Sequence, residues 1–479
     1  MAEKEARGST KLALKAGAWY VISTFLVKSL SFITTPIFSR LMDKTSYGEF
    51  SNYASWQTTL LVLTGAELYN TVNRAYYDHK EDFDKYVSSV SIAAIGFTAL
   101  VYLVFLFGGD WIYNIVSIPR EFVHMMFFTL TFQSCKQIYL ARERTLYRYK
   151  SVAAISVFNA LVPTLISVVM VVLAEQSLRL PARIYGFYGP STAVGILCGA
   201  VLLYRGRGFK VKHCTYAFKL SLPLLVHYLT AYMLTSTNVI VTKNVLGADT
   251  AALVSITTSA TTVLTLLLQS ISGAVTTWLM DCLEQKKYKT ARKGLFFYVA
   301  GISALSLALI FVSPEIILVL GGSKYAAATE LMPGLILAAM IQAVTTVFTI
   351  ILTYEKRVIA TAWCTAVVAI MSIAAKVYLL PVYGVNSLAW INAIAFAVLF
   401  VCGYFLVKRT GESASVVNLK GFVACVALVL GVALAAGLLY QNTLVRWGII
   451  AVAGIATLVG AYIKRDLILG LLKKRKKAK

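Results

Sequence analysis

Apolar residues in this chain do not alternate; they run in blocks of about twenty, parted by short polar punctuation. At 1.5 Å of rise per residue, roughly 20 apolar residues carry a helix across a hydrocarbon layer of about 30 Å. The blocks predict about fourteen spans, near 15–39, 50–72, 87–107, 122–141, 151–174, 186–204, 220–242, 251–280, 294–320, 331–353, 358–380, 385–407, 420–440 and 447–463. The first run, Leu14 to Phe38, is too long for a signal-peptide core and is expected to stay as a span.

Polar residues inside the blocks fall at helical spacing. Span 1 carries Thr24, Lys28, Ser31 and Thr35 on one face, and span 8 carries Thr258, Thr262, Thr265, Gln269, Ser272 and Thr276 along nearly its whole length. Tyr53, Gln57, Thr64 and Glu67 share a stripe on span 2, and span 7 holds His227, Thr230, Tyr232, Thr235, Ser236 and Asn238. Polar side chains are costly in lipid, so these stripes face either a close-packed helix interface or a wet cavity. Their place on the first two helices of each half favours a polar cavity between the halves. Lys28 lies near the bilayer centre, where a lysine costs about 2.5–3.5 kcal/mol. It suits an anionic substrate, or else a salt bridge to a neighbour such as Glu67. His227 is either a proton-coupling group or a satisfied polar contact. Lys136 and Lys376 sit near span ends and are expected to snorkel to the interface.

The blocks also repeat. Tyr86 closes an acidic loop after span 2 and Tyr288 a similar loop after span 8; Gly108-Gly109 and Gly321-Gly322 end spans 3 and 9. Arg142-Glu143-Arg144 corresponds to Glu355-Lys356-Arg357, and Tyr185-Gly186 to Tyr383-Gly384, all at offsets of 198 to 213 residues. The chain therefore divides into a cytoplasmic tail (1–13), a first six-helix bundle (14–204), a cytoplasmic linker (205–219) and a second bundle (220–407). Two additional spans (408–464) and a basic tail (465–479) complete it. An even number of spans per half makes the repeat parallel, about an axis along the membrane normal. The fold class expected is an all-α polytopic membrane protein.

Composition agrees, with 58% hydrophobic and 14% charged residues and a mean hydropathy of +0.74. The net charge of +24 could invite nucleic acid, but its placement argues otherwise. Of the 45 Lys and Arg, 34 fall in alternate segments that include both termini. That asymmetry places both ends in the cytoplasm. The Lys- and Arg-rich tail at 473–479 then reads as a topology and anionic-lipid signal, with no nucleic-acid partner. The seven cysteines avoid the proposed outer loops, so no disulfide framework is expected. There is no Walker loop, GxSxG, HExxH or metal-spaced Cys/His cluster, so no catalytic centre, metal or cofactor is expected.

Several segments resemble Wzx-type polysaccharide flippases. They are Ala13-Leu14-Lys15-Ala16-Gly17-Ala18-Trp19, Pro36-Ile37-Phe38-Ser39-Arg40-Leu41-Met42 and Ser46-Tyr47-Gly48-Glu49-Phe50. Leu222-Pro223-Leu224-Leu225, Gly247-Ala248, Ser323-Lys324-Tyr325-Ala326-Ala327-Ala328 and Pro381-Val382-Tyr383-Gly384 continue the likeness to about residue 410. The resemblance implies the multidrug/oligosaccharidyl-lipid/polysaccharide exporter superfamily, with two bundles around a V-shaped central cavity. It implies a flippase of the bacterial inner membrane moving undecaprenyl-diphosphate-linked oligosaccharide by alternating access, with a polysaccharide polymerase as candidate partner. The cationic cavity described for such proteins would be served here by Lys28. The other reading is a cation-coupled multidrug exporter of the same superfamily. The substrate-contacting set expected is Lys28, Thr24, Ser31, Thr35, Gln57, Glu67, His227, Asn238, Thr265, Gln269 and Ser272.

Overall fold

A backbone surrounded by lipid has to satisfy its own N–H and C=O groups, which makes the apolar blocks helical almost regardless of their detail. The computed structural model describes residues 32–451 together with Trp19 and Leu30. Among them every regular element is a helix. The inner part of span 1 with Thr24, Lys28 and Ser31, the end of span 14 and the basic tail lie outside the described residues.

Twelve long helices follow the helical residues 32–41. In the first half they are α1 (Lys44–Gly65), α2 (Phe83–Phe107), α3 (Arg120–Thr145), α4 (Tyr149–Leu173) and α5 (Arg179–Gly206). In the second they are α6 (Val211–Leu246), α7 (Ala248–Glu284), α8 (Tyr288–Gly321), α9 (Met332–Tyr354), α10 (Val358–Tyr383) and α11 (Asn386–Lys408), with α12 (Leu419–Gln441) beyond. Nine are long and apolar enough to cross a membrane, and α6 makes ten although it bends by 47° at residue 231. The other two, α1 and α3, have spanning length, 22 and 26 residues, but a more polar make-up. The chain is a multi-pass membrane protein.

The two halves use the same local devices. Gly109 and Gly322 both take left-handed backbone, with φ of +65° and +75°, where an L side chain would be strained. The turn after α3 has Tyr147 at φ +55°, and the turn after α9 has Lys356 at φ +56°. Each is closed by the paired backbone bonds of a Schellman motif, Arg148 N to Glu143 O (2.9 Å) and Arg357 N to Leu352 O (2.8 Å). Packing repeats as well: α5 lies against α3 and α4, as α11 lies against α9 and α10.

Between the halves, α1 packs along α6 and α7. Asp43 caps α1 by accepting from Ser46 N at 2.9 Å, and the ends around this cap meet the other half. Ser39 Oγ donates to Leu320 O (2.6 Å), Lys324 Nζ to Met42 O (2.7 Å) and Thr45 Oγ1 to Asp249 Oδ1 (2.6 Å). Lys243 Nζ pairs with Glu49 at 2.9 Å. Gly48 comes so close to the start of α7 that a Cβ there would lie 1.9 Å from Ala248 O. Phe38 and Met42 share one buried apolar core with Ile256, Ile302 and Leu320 of the second half. Behind this seam, the Arg183 guanidinium is held among the rings of Phe50, Phe38 and Tyr47, at 3.7, 4.1 and 4.8 Å. The halves are therefore shut against each other at the end that the charge pattern assigns to the outside.

Candidate functional site

The long polar stripe of span 8 becomes one wall of a cavity. A void of about 490 Å³ lies inside the second half, walled by α6, α7, α8, α9 and α11. From α7 it is lined by Thr258, Thr261, Thr262, Thr265 and Ser272, and from α6 by Leu234, Thr235 and Asn238. The spacing places these side chains on a common helix face, which is why they arrive together.

The hydroxyls are already partly spent. Thr258 Oγ1 donates to Val254 O (2.8 Å), Thr262 Oγ1 to Thr258 O (2.8 Å) and Thr265 Oγ1 to Thr262 O (2.9 Å). A hydroxyl has one proton and two lone pairs. With the proton returned to the helix, the oxygens offer acceptor capacity towards the void. Opposite them, Asn392 Nδ2 donates to Asn238 Oδ1 at 3.1 Å and to Leu388 O at 2.9 Å, tying α11 to α6 across the floor of the cavity. Tyr298, Phe396, Gln342 and Thr346 complete the polar and aromatic lining. Among the described lining residues there is no Asp, Glu, Lys, Arg or His.

Of the expected contact residues, the structure thus brings together Asn238, Thr265 and Ser272. The side chains of His227 on α6 and Gln269 on α7 lie outside the described residues, as do Thr24, Lys28 and Ser31. The span 2 stripe turns elsewhere. Gln57 Nε2 donates to Gln133 Oε1 of α3 at 3.1 Å, and Tyr53 packs on Tyr188 of α5 at 5.1 Å between ring centroids. These residues consequently sit inside the first half. Glu67 accepts from Asn70 Nδ2 at 2.6 Å where the helix breaks, with Ala66 and Glu67 at φ +45° and +53°. Thr35 is buried near the seam between the halves. The described lining of this cavity comes from the second half, and the inner part of span 1, from which the first half was expected to contribute, lies outside the described residues. Periodicity gave the right face for span 8, but it could not say which bundle a face turns into.

Two lysines also differ from expectation. Lys136 is buried in the first half, its Nζ donating to Asn159 Oδ1 (3.0 Å) and Ser191 Oγ (3.1 Å). Lys376 of α10 is fully buried, its Nζ reaching Leu234 O and Thr237 Oγ1, both at 3.3 Å. Neither snorkels. Neighbouring helices supply oxygen acceptors at the depth where each ammonium emerges, so neither stem has to climb to water. Gln342, Thr346 and Asn392 are among the lining residues that the stripes did not flag. Asn392 stands alone within an apolar stretch of its span, a signal weaker than a stripe but real.

Residues 13–279, more than half of the chain, match the family model described as polysaccharide biosynthesis protein. No curated protein matches the chain. Its fold is similar to that of the lipid II flippase MurJ in an inward closed conformation, at a TM-score of 0.66 and 17% identity over 93% of this chain and 99% of that one. It is similar also to an inward-facing multidrug resistance MATE family transporter of the MOP superfamily, at a TM-score of 0.60 and 12% identity over 82% of this chain and 98% of the other.

Proposed function

The chain belongs to the polysaccharide biosynthesis protein family, and from that premise we propose that it flips a lipid-linked oligosaccharide across the cytoplasmic membrane. The substrate class is an undecaprenyl-diphosphate-linked oligosaccharide, carried from the inner to the outer leaflet by rocking of the two halves while the lipid tail stays in the bilayer. A polysaccharide polymerase would receive the product outside, and both termini of the transporter would lie in the cytoplasm.

One observation carries this reading over export of cationic drugs: the cavity is lined by hydroxyls, amides and two aromatic rings, without a carboxylate among the described residues. Sugar hydroxyls can donate to the threonine oxygens and to Asn and Gln carbonyls, and a ring face can pack on Tyr298 or Phe396. A lipophilic cation would find no carboxylate to neutralise it among the described lining residues. The contacts between the halves at the end that the charge pattern assigns to the outside support loading from the cytoplasm.

The experiment is leaflet sidedness of undecaprenyl-linked oligosaccharide after depletion of this protein. Intermediates trapped on the inner face and released by re-expression support the proposal. Unchanged sidedness, with no second flippase present, moves the assignment to the drug exporter.

Two variants sharpen the test. Replacing both members of the amide pair, Asn238→Leu with Asn392→Leu, leaves no orphaned partner, so the fold should survive. Transport should fall roughly tenfold, the effect of losing one or two hydrogen bonds of about 1 kcal/mol each. Sidedness equal to wild type would exclude the cavity as the headgroup site. Lys28, which lies outside the described residues, is the expected counter-charge for the diphosphate. Lys28→Ala should lower polymer output without loss of folded protein, and normal output would remove Lys28 from the mechanism.

A further inference from the structure

The strongest unassigned feature lies away from the cavity, where the linker between the halves meets the first half. His79, Asp82 and His213 place one donor atom each within 4.8 Å of one another. His79 and Asp82 stand in the short loop before α2, and His213 in the first turn of α6. The separation along the chain hides the cluster from any spacing motif.

Three observations bear on what it holds. His213 is nearly fully buried and its Nδ1 has no hydrogen-bond partner; His79 Nε2 is likewise buried and unpartnered. A buried imidazole nitrogen without a partner costs about 1–3 kcal/mol, so His79 Nε2 asks for an acceptor of its lone pair, and His213 would bind through Nε2, the nitrogen that faces Asp82. The His213 Nε2 to Asp82 Oδ2 distance is 3.2 Å. That is close to the ~3.3 Å edge of a tetrahedron whose ligands stand about 2.0–2.1 Å from zinc. The rings are also held in place. Tyr86 stacks on His79 at 5.5 Å, Tyr216 stands edge-on to it at 4.9 Å, and the two imidazole centroids are 4.9 Å apart.

We propose that His79, Asp82 and His213 form a site for a single divalent transition-metal ion of the zinc class, which staples the inter-bundle linker to the first half. Two imidazoles and one carboxylate are a donor set that zinc and its neighbours accept, with a fourth position left for water. Lys210 Nζ, now 2.6 Å from Asp82 Oδ2, would pass to the other carboxylate oxygen when the metal arrives. The alternative occupant of the site is that same Lys210–Asp82–His213 network with no ion.

The test uses the full chain purified without a polyhistidine tag, stripped by a chelator and titrated with zinc. After desalting, elemental analysis should find one zinc per chain, and the apparent Tm should rise with zinc. In His79→Gln with His213→Gln the affinity should drop roughly tenfold or more and the rise in Tm should vanish. Cobalt(II) added to the unaltered chain should give visible tetrahedral bands that zinc abolishes, a reading that needs no variant to fold. Equal zinc content in the chain and its double variant, or no cobalt bands in the unaltered chain, would overturn the site.

Discussion

Gly48→Ala should abolish transport while leaving each half folded. The added Cβ would lie 1.9 Å from Ala248 O and 2.7 Å from its carbonyl carbon, and both are backbone atoms that no rotamer change can move. Relief requires α1 and the start of α7 to part by more than an ångström, and the bonds around them are short. Thr45 to Asp249 at 2.6 Å and Lys324 to Met42 O at 2.7 Å would go first. Losing two or three such bonds at about 1 kcal/mol each biases the equilibrium against outer closure by roughly 30- to 160-fold. Inner-leaflet intermediates should then accumulate as they do on depletion. A cysteine placed at Thr45 should react faster with a membrane-impermeant thiol reagent in this background. Wild-type sidedness together with unchanged labelling would show that the seam tolerates the separation and does not gate the path.

Lys376→Met should move stability and transport in opposite directions. The ammonium is fully buried between α10 and α6, bonded to Leu234 O and Thr237 Oγ1 at 3.3 Å, and it makes no ion pair among the described residues. Methionine matches the stem in length and carries no charge to desolvate. By analogy with buried ionic groups replaced by apolar ones, the folded state should gain about 1–4 kcal/mol or stay unchanged. Leu234 lines the cavity, so the charge stands one residue behind the wall and its field acts on whatever occupies the void. An intramembrane charge retained at such a cost is expected to serve transport. The apparent Tm in detergent and leaflet sidedness read the two effects separately. A lower Tm would make Lys376 a structural donor, and normal sidedness would end its functional assignment.

The sequence carried the all-helical, multi-pass architecture and the threonine face of α7. It carried them because lipid leaves the backbone only local solutions and because a polar stripe on a helix must turn away from lipid. Thr265, Ser272 and Asn238 reach the cavity for that reason. Gln57 lies elsewhere for a reason equally physical: its amide finds Gln133 on α3, at 3.1 Å, and a stripe satisfied within its own bundle looks the same along the chain as one that lines a void. Gly48 stood in a motif that marked likeness, but only the approach of Ala248 explains why no larger residue fits.

What the sequence determined by itself is therefore what each segment does alone: span, break, cap, and present a polar face. Which bundle a face enters, that Lys136 and Lys376 meet oxygens in place of water, and that His79 and Asp82 meet His213 were decided by tertiary structure. These depend on partners distant along the chain, brought near by helix packing, and composition and periodicity record nothing of a partner's position.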